Sequence, residues 1–293
     1  MQFHPVKRAL VYSGFLALSA CVAVPTPTPS PPTVAPVALG GTALQLQNAG
    51  APYSPTPVGS TAMATLSGSF TAGSNETAIF DGTYLLVDPS GFDVNGVLTD
   101  GIVYAVTLDG AQSGLFTGNY SYVVPIAYTY QNGVNSTSVL GNTGVIAATA
   151  DIPVAGTAQY VGDAFARVES ANGTTGFLLS GGTSIVDVDF AAGAVDVTMG
   201  LFTAVDQYAP NPVAPIDAIS GTGMHIIGAS FTGGTWVTYK NGAVVNFTGP
   251  ATAVSAGGDF YGYDPLISAP DEVGGVILMD GSSGLVYGIF TAD

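Results

Sequence analysis

The sequence is poor in the residues on which most functional chemistry depends. It has one cysteine, Cys21, two histidines and only four lysines and arginines among 293 residues. A single cysteine excludes an intramolecular disulfide and any zinc site built from several cysteines. Four cations against twenty acidic residues give a formal charge of −16. A chain with so few cations cannot neutralise a phosphate backbone, so we expect no nucleic-acid binding.

Long apolar runs and helical periodicity are also missing after residue 20. No uninterrupted apolar run there approaches the roughly eighteen residues that a membrane-spanning helix requires, although mean hydropathy is positive at +0.44. The hydrophobic residues are spread through short β-forming runs, and 40 glycines punctuate the chain. This pattern predicts an all-β protein with many turns. The acidic surface favours solubility and could steer a basic partner towards it.

Candidates for catalysis are equally scarce. Beyond the first 20 residues the one histidine is His225, in a setting that indicates a strand, so any Ser-His-Asp triad would need it. Asp187 and Asp189 share a strand face that we expect to be solvated. Asp271 and Glu272 fall in a proline-punctuated loop, and nothing in the sequence marks either pair as having raised pKa values. We therefore expect no enzymatic activity, no cofactor and no bound metal.

Residues 1–20 have the pattern of a secretory signal peptide. Lys7 and Arg8 form a positive start, and residues 9–18 form a short apolar core. Small residues follow, as they do before a cleavage site. We therefore expect export of the chain and removal of this segment.

The end of the signal peptide, Leu-Ser-Ala-Cys at 18–21, resembles the lipobox of bacterial lipoproteins. In those proteins the cysteine is acylated and becomes the first residue of the mature chain. Val22 in place of an aspartate is similar to lipoproteins sorted to the outer membrane. Several acyl chains on Cys21 would anchor the protein firmly. The alternative is an ordinary signal peptide with an incidental cysteine.

Residues 21–60 are predicted to be a tether. Prolines alternate with small residues over 22–40, which favours extended polyproline geometry. At about 3.1 Å per residue this segment would hold a folded body roughly 50 Å from the bilayer. Residues 41–60 remain rich in glycine and proline, and we expect them to be loosely ordered. The prolines of the first part are Pro25, Pro27, Pro29, Pro31, Pro32 and Pro36.

Residues 61–148 predict a first β domain. β-forming runs alternate there with Asp-Gly, Asn-Gly and proline-containing turns. An aromatic concentration, Tyr120, Tyr122, Tyr128 and Tyr130, is expected to pack in a core or across strands rather than form a binding surface. The predicted strands cover 65–70, 83–87, 102–106 and 123–130.

Residues 149–293 predict a second β domain with about eight strands, the number at which side chains can just fill a barrel. Apolar and polar residues alternate over 184–190 and 195–201, which predicts a hairpin with one polar face. The strongest β runs, 276–279 and 285–290, form a second hairpin at the end of the chain. An apolar strand at that position would be an exposed edge unless a barrel closes on it. Further short strands are predicted at 226–231, 235–239 and 243–247.

In this second domain, residues 152–162 (IPVAGTAQYVG) and 188–193 (VDFAAG) resemble the MP-x-SG-x-A-x-Y-x-G opening and the DF-x-x-G hairpin of the barrel domain in transferrin-binding protein B and related surface lipoproteins. Residues 258–262 (GDFYG), 272–276 (EVGGV) and 288–290 (GIF) resemble its closing motifs. The match covers about half of the chain, in order.

The resemblance implies an N-terminal β handle domain over 61–148, followed by an eight-stranded antiparallel β-barrel over 149–293. It also implies display on the outer face of the outer membrane, in some members through a dedicated translocon named Slam. Members of the family capture transferrin, haemoglobin, haem or complement factor H. This chain has room for one handle and barrel rather than two, and it lacks long charged loops. Transferrin itself is therefore not the expected ligand.

We expect a surface lipoprotein that binds a ligand without catalysis, its partners being the membrane through Cys21, a protein or haem ligand, and an outer-membrane translocon. The alternative is an envelope structural protein or adhesin without a soluble ligand. A third hypothesis is haem capture. For that hypothesis the candidate ligand-binding residues are Tyr208, His225, Tyr261 and Tyr263.

Overall fold

The computed structural model describes residues 37–49, 62–70, 76–80, 83–87, 104–106, 112–113, 120–132, 135–170, 176–206, 214–249, 252–264, 266 and 268–293. These residues form eighteen strands and a single 3-10 turn at Thr149–Asp151. None of them belongs to a helix that could cross a membrane. The all-β class predicted from composition is confirmed.

Eight strands form the first sheet, and all of its strand pairs are antiparallel. The strands are β1 (Val37–Ala49), β2 (Ala62–Phe70), β3 (Glu76–Phe80), β4 (Thr83–Val87), β5 (Tyr104–Val106), β6 (Gln112–Ser113), β7 (Val123–Asn132) and β8 (Asn135–Gly144). Their order across the sheet is β5-β4-β3-β2-β1-β8-β7-β6.

β1 lies in the middle of this sheet, in a part of the chain that was expected to be irregular. It pairs with both β2 and β8, and Leu44 is fully buried. The tether predicted over 21–60 is therefore corrected for 37–49. The proline run ends at Pro36, so every residue of β1 has a backbone N–H to donate to a ladder. Cys21 and the remainder of the predicted tether lie outside the described residues.

The four runs predicted as strands within 61–148 correspond to β2, β4, β5 and β7. β8 was not predicted, because its sequence, NSTSVLGNTG, is rich in residues that favour turns. Its position between β1 and β7 supplies both ladders, so tertiary context overrides the weak local preference.

The second sheet closes into a barrel. Its strands are β9 (Thr157–Ser170), β10 (Gly176–Asp189), β11 (Ala194–Gly200), β12 (Thr203–Asp206), β13 (Ala218–Ile227), β14 (Ser230–Lys240), β15 (Ala243–Val245), β16 (Ala253–Tyr261), β17 (Glu272–Gly281) and β18 (Gly284–Ala292). The ring runs β9-β10-β11-β13-β14-β16-β17-β18 and returns to β9, so eight antiparallel strands form the wall. Short strands β12 and β15 pair with β10 and β14. The predicted eight-stranded antiparallel barrel is confirmed.

The last strand closes the barrel, as the apolar C-terminal run predicts. β18 pairs with β9 from Gly284↔Ser170 to Ala292↔Gly162 and with β17 on its other side. The turn between β17 and β18 is short, since Gly281 pairs with Gly284. Both backbone edges of the terminal strand are therefore used, and the final hairpin presents no open edge.

The hairpin β10–β11 has the predicted two faces. Val186 and Val188 are buried inside the barrel, whereas Asp187 and Asp189 are exposed. The alternation predicted over 195–201 ends early, because Leu201 is 83% exposed and has a left-handed φ of 57°.

The strand predicted over 226–231 is wrong. Ile226 pairs with Phe231 across a tight turn that joins β13 to β14. Gly228 has φ = 63° in this turn, a conformation that glycine adopts at little steric cost. The apolar run 226–231 therefore contains a hairpin turn, which its hydrophobicity alone does not indicate.

Side chains fill the barrel interior. The ring centroids of Phe231 and Phe260 lie 5.3 Å apart, and those of Phe231 and Phe290 lie 6.3 Å apart. Trp236 and Met199 belong to the same buried cluster. The interior is a packed core, as expected for a barrel of this size.

A second apolar layer covers the outside of the barrel at β17 and β18. Outward-facing Val276, Leu278 and Ile289 form one buried cluster with Leu44 of β1 and Leu140 of β8. The closing hairpin is therefore buried on both faces, which explains why its sequence is almost continuously apolar. The two sheets belong to one compact unit, Val34–Asp293.

Candidate functional site

The alternative candidates for binding haem lie on different elements of the fold where the structure describes them. Tyr261 is fully buried at the end of β16, whereas Tyr263 is 36% exposed in the following loop. His225 is exposed on β13, where it pairs with Ala194 and Thr232. Tyr208, like Cys21, lies outside the described residues. Within the described part of the chain, no cluster of three or more His, Cys, Asp or Glu side chains could hold a metal ion.

The polar side chains that the fold does bring together lie at the seam between the first sheet and the barrel. We define the seam as the contact of β1, β7 and β8 with β16, β17 and β18. Four buried polar residues of these strands form hydrogen bonds that join the two sheets. They are Asn142, Asp259, Glu272 and Thr291.

Glu272 is the first residue of β17, and its carboxylate accepts hydrogen bonds from the backbone at the start of β7. One carboxylate oxygen accepts a hydrogen bond from the backbone N–H of Ser121. The other accepts from the N–H groups of Tyr122 and Val123, both at 2.8 Å. Glu272 is 2% exposed and is the first residue of β17, so its expected place in a loop is corrected.

Burial raises the pKa of Glu272 to about 7, although its three backbone donors favour the charged form and oppose the shift. The neighbouring carboxylate Asp271 adds to the rise. The pKa of Asp271 is itself raised, chiefly by burial and also by Asp264 and Asp293. Nothing in the sequence marks this pair, because the burial that raises both pKa values depends on packing against segments distant in the chain.

Asp259 joins three strands on the neighbouring part of the seam. Its Oδ2 accepts a hydrogen bond from the hydroxyl of Thr42 in β1 at 2.6 Å, and its Oδ1 accepts from the hydroxyl of Ser230 in β14 at 2.6 Å. Burial raises the pKa of Asp259, while the two hydroxyl donors lower it. The carboxylate thus ties the first sheet to two barrel strands.

Asn142 occupies the middle of the seam. Its side-chain Nδ2 donates to the carbonyl oxygens of Gly275 and Phe290, both at 3.1 Å. Its Oδ1 accepts a hydrogen bond from the hydroxyl of Thr291 at 2.8 Å. One fully buried amide therefore satisfies backbone groups of both strands of the closing hairpin.

The paired glycines of the EVGGV motif make room on both faces of β17. A Cβ on Gly274 would lie 2.7 Å from Cγ of Asn142, and one on Gly275 would lie 2.5 Å from Cζ of Phe290. The first contact is on the seam side and the second is in the barrel interior. The motif therefore encodes the close approach of an amide outside and a ring inside.

A cleft of about 310 Å³ lies at the margin of the seam, where the start of β7 meets β9, β10 and β18. We call it the Tyr120 cleft; its walls include Tyr120, Asp163, Phe165, Ile289 and Thr291. The buried Tyr120 hydroxyl lies 2.9 Å from the carbonyl oxygen of Thr291 and 3.0 Å from Oδ2 of Asp163, and it can donate its proton to either. The same oxygen accepts the backbone N–H of Asp163 at 3.0 Å.

Burial raises the pKa of Tyr120 well above its ordinary value, with the Asp163 carboxylate adding to the rise. The phenol consequently remains a hydrogen-bond donor at physiological pH. The sequence predicts that Tyr120 packs in a core, and its burial agrees, since Tyr120 is 6% exposed. The side chain also has a second role, which spacing along a strand does not reveal: it holds the Asp163 carboxylate at the cleft.

Two shallower surface features lie away from the seam. A cleft of about 520 Å³ separates β14 and β15 from β16, since β14 pairs with β16 only from Ser230 to Thr232. A second surface, of about 300 Å³, is lined by Asp187, Asp189 and Asp196. These carboxylates accept hydrogen bonds from Gln159, the Ala192 N–H and the Gly223 N–H, respectively.

No protein-family model and no curated protein matches the sequence. Among solved structures, a single-residue mutant of transferrin-binding protein B from Haemophilus parasuis Hp5 is 20% identical, with 86% of this chain and 45% of that one covered and a TM-score of 0.48. The isotype 1 transferrin-binding protein B of serogroup B Neisseria meningitidis is 17% identical, with 78% and 51% covered and a TM-score of 0.41. The N-lobe domain of lactoferrin-binding protein B from Moraxella bovis is 13% identical, with 87% and 98% covered and a TM-score of 0.34.

The chain spans about half the length of the two transferrin-binding proteins. The barrel motifs in the sequence resemble those of the same group of proteins, and the similarity to the solved structures is one of fold alone.

Proposed function

We propose that this chain is a lipoprotein of the outer-membrane surface whose folded body binds another macromolecule without catalysis. Residues 1–20 direct export, Cys21 carries the lipid anchor, and the proline-rich segment up to Pro36 spaces the body from the membrane. An outer-membrane translocon of the Slam type displays it. The lipobox sequence and the proline run support these assignments.

The main observation behind this proposal is the packed barrel interior, which leaves only the outer surface of the body for binding. Phe231, Phe260 and Phe290 fill the space that a larger barrel would offer to a ligand. A molecule recognised by this fold must therefore contact loops, the outer wall or the margin of the seam. Loops and margins on a rigid β scaffold are the usual place of recognition.

A protein is the class of ligand that we propose. The solved structures of similar fold are named for binding transferrin or lactoferrin, which are proteins. Among the described residues, two candidates for haem capture are exposed, His225 and Tyr263, whereas Tyr261 is fully buried. A haemin titration tests that form of the function: a stoichiometric Soret shift that His225→Ala abolishes supports it, and an unchanged spectrum contradicts it.

Protease treatment of intact cells tests the display of the body. With antibodies against the barrel and a periplasmic control protein, we expect loss of the barrel signal while the control remains intact. Full protection in intact cells, together with cleavage in lysed cells, contradicts surface display and favours the envelope structural protein. A Cys21→Ala variant that remains in the membrane fraction contradicts the anchor.

A further inference from the structure

The Tyr120 cleft combines features that point to a specific kind of occupant. Its volume of about 310 Å³ lies at the lower end of the range for ligand sites, about 300–1,000 Å³. This size suits one long side chain of a partner better than a large cofactor. Apolar Ile289 and aromatic Phe165 line its walls, and the exposed carboxylate of Asp163 lies at its margin.

The charge of the cleft selects a cation. Asp163 contributes a carboxylate, and the chain as a whole carries twenty acidic residues against four lysines and arginines. After residue 20 the cations are Arg167 and Lys240, of which Arg167 pairs with Glu169 at 2.6 Å and Lys240 lies 4.0 Å from Asp217. An anionic ligand would meet an unfavourable field at this cleft, whereas a cation is attracted.

The Asp163 carboxylate is held in place before any ligand arrives. Tyr120 can donate to its Oδ2 and accepts its backbone N–H, both at 3.0 Å. Tyr120 is fixed in turn by Thr291, whose carbonyl oxygen also accepts a hydrogen bond from Ser184 at 3.0 Å. A carboxylate fixed in this way can accept a ligand's hydrogen bonds with little loss of conformational entropy.

A β-bulge provides further hydrogen-bonding groups in the wall of the cleft. Leu179 pairs with Ala166 and Gly182 pairs with Ala164, so Ser180 and Gly181 lie opposite Phe165 alone. Two residues of β10 then face one residue of β9, and Ser180 also pairs with Thr203 of β12 on the other edge of the strand. Gly181 has φ = 61° at this point. Both bulge residues line the cleft.

We propose that the Tyr120 cleft binds an arginine side chain presented by a protein partner. A guanidinium offers five donors in one plane, which suits a carboxylate and the neighbouring bulge groups, and it packs favourably against an aromatic ring such as Phe165. A lysine ammonium is a compact, strongly hydrated charge and uses the apolar walls less well. This inference deepens the binding role proposed above and rests on it.

Methyl NMR on the full chain tests the inference, because Ile289 places a methyl probe in the cleft. The chain is expressed without acylation and titrated with the peptide acetyl-Gly-Arg-Gly-amide. Matched peptides carry lysine or the uncharged analogue citrulline in place of arginine. We expect a saturable shift of the Ile289 methyl signal with the arginine peptide, with a Kd in the millimolar range, on the order of the weakest specific affinities, and weaker shifts with lysine and citrulline.

Two variants separate binding from folding. Asp163→Asn keeps an oxygen acceptor for Tyr120 but removes the charge. We expect this substitution to raise the Kd of the arginine peptide about tenfold or more, as for the loss of one charged pair. Asp187→Asn, on the exposed face of β10, should bind as the unmodified chain does. Unchanged binding in Asp163→Asn, equal binding of the citrulline peptide, or the absence of a saturable shift in a folded protein overturns the inference. None of these results bears on surface display, which protease treatment tests separately.

Discussion

The two hairpins β10–β11 and β17–β18 are built alike but placed differently. Both put apolar side chains into the barrel core, for example Val186 from the first and Phe290 from the second. On the outer face of the barrel, Asp187 of β10 is exposed, whereas Leu278 of β17 is buried. The difference arises because water covers the outer face of β10–β11, whereas the first sheet covers the outer face of β17–β18. A continuously apolar strand in a barrel therefore indicates a second partner outside.

Truncating a core ring in the closing hairpin should produce the largest effect. Phe290 contacts Phe231 in the barrel interior, so Phe290→Ala should lower the free energy of unfolding by about 3–5 kcal/mol. Asp189→Ala, on the exposed face of the other hairpin, removes only an exposed hydrogen bond from the Ala192 N–H and should change it by about 1 kcal/mol or less. Denaturant unfolding of both variants measures the contrast, and equal losses would contradict the assigned faces.

Truncating an outward residue of the same hairpin tests whether the outer wall is also core. Leu278 packs in the cluster with Leu44 and Leu140, so Leu278→Ala should lower the free energy of unfolding by about 2–5 kcal/mol. The outward residue Asp187 provides the matched control on the other hairpin. A Leu278→Ala loss no larger than that of Asp187→Ala would show that the first sheet does not cover this wall.

The stability of the seam should depend on pH. The pKa of Glu272 is raised from 4.5 to about 7 in the folded protein, so the folded state binds its proton more tightly than the unfolded state does. The corresponding stability is present in full below the unfolded value and is lost as pH rises through about 7. Burial raises the pKa values of Asp259 and Glu169 as well, so the free energy of unfolding that these carboxyls contribute also falls as pH rises.

We therefore expect unfolding to require less denaturant at pH 8 than at pH 5.5, with the Glu272 contribution to the difference on the order of 2 kcal/mol at most. Glu272→Gln removes this titration and should flatten the pH dependence. Asp187→Asn, on the exposed face of β10, is the matched control and should leave it unchanged. A stability that rises with pH over this interval would contradict the assignment.

Removing the seam amide should have a smaller effect. Asn142→Ala leaves the carbonyl oxygens of Gly275 and Phe290 without their side-chain donor, and a lost hydrogen bond that leaves a buried group unsatisfied costs about 1–3 kcal/mol. Gln159→Ala, which removes an exposed hydrogen bond to Asp187, is the control. Thermal unfolding that shifts equally in both variants would show that the seam network contributes nothing beyond a surface contact.

Local sequence patterns were sufficient for the strands whose two faces differ or whose apolar content is high. The β10–β11 hairpin follows from the alternation of Val186, Asp187 and Val188, and the closure at β18 follows from its apolar run at the end of the chain. The turn at Gly228 was missed because an apolar residue flanks each side of it, and hydrophobicity alone cannot separate a strand from a tight hairpin.

The site residues were harder to predict, because their partners are distant in sequence. Glu272 appeared within a recognised motif, yet its three backbone donors are residues 121–123, at the start of a strand of the first sheet. Asn142 lies in a strand whose own sequence favours turns. Asp163 gains its role from Tyr120, 43 residues earlier. An acidic residue two positions before a Gly-Gly pair in a barrel strand is the one local signal that could have indicated the seam.

Hydrogen exchange measured across the full chain tests the central claim most directly. That claim is that the first sheet is fixed to the barrel through the outer face of the β17–β18 hairpin. In Asn142→Ala, we predict faster exchange in β1, β8, β17 and β18, while β10 and β11, whose outward residues Asp187 and Asp196 are exposed, keep their protection. Uniform acceleration across the barrel, or unchanged protection in β1 and β8, would contradict the account.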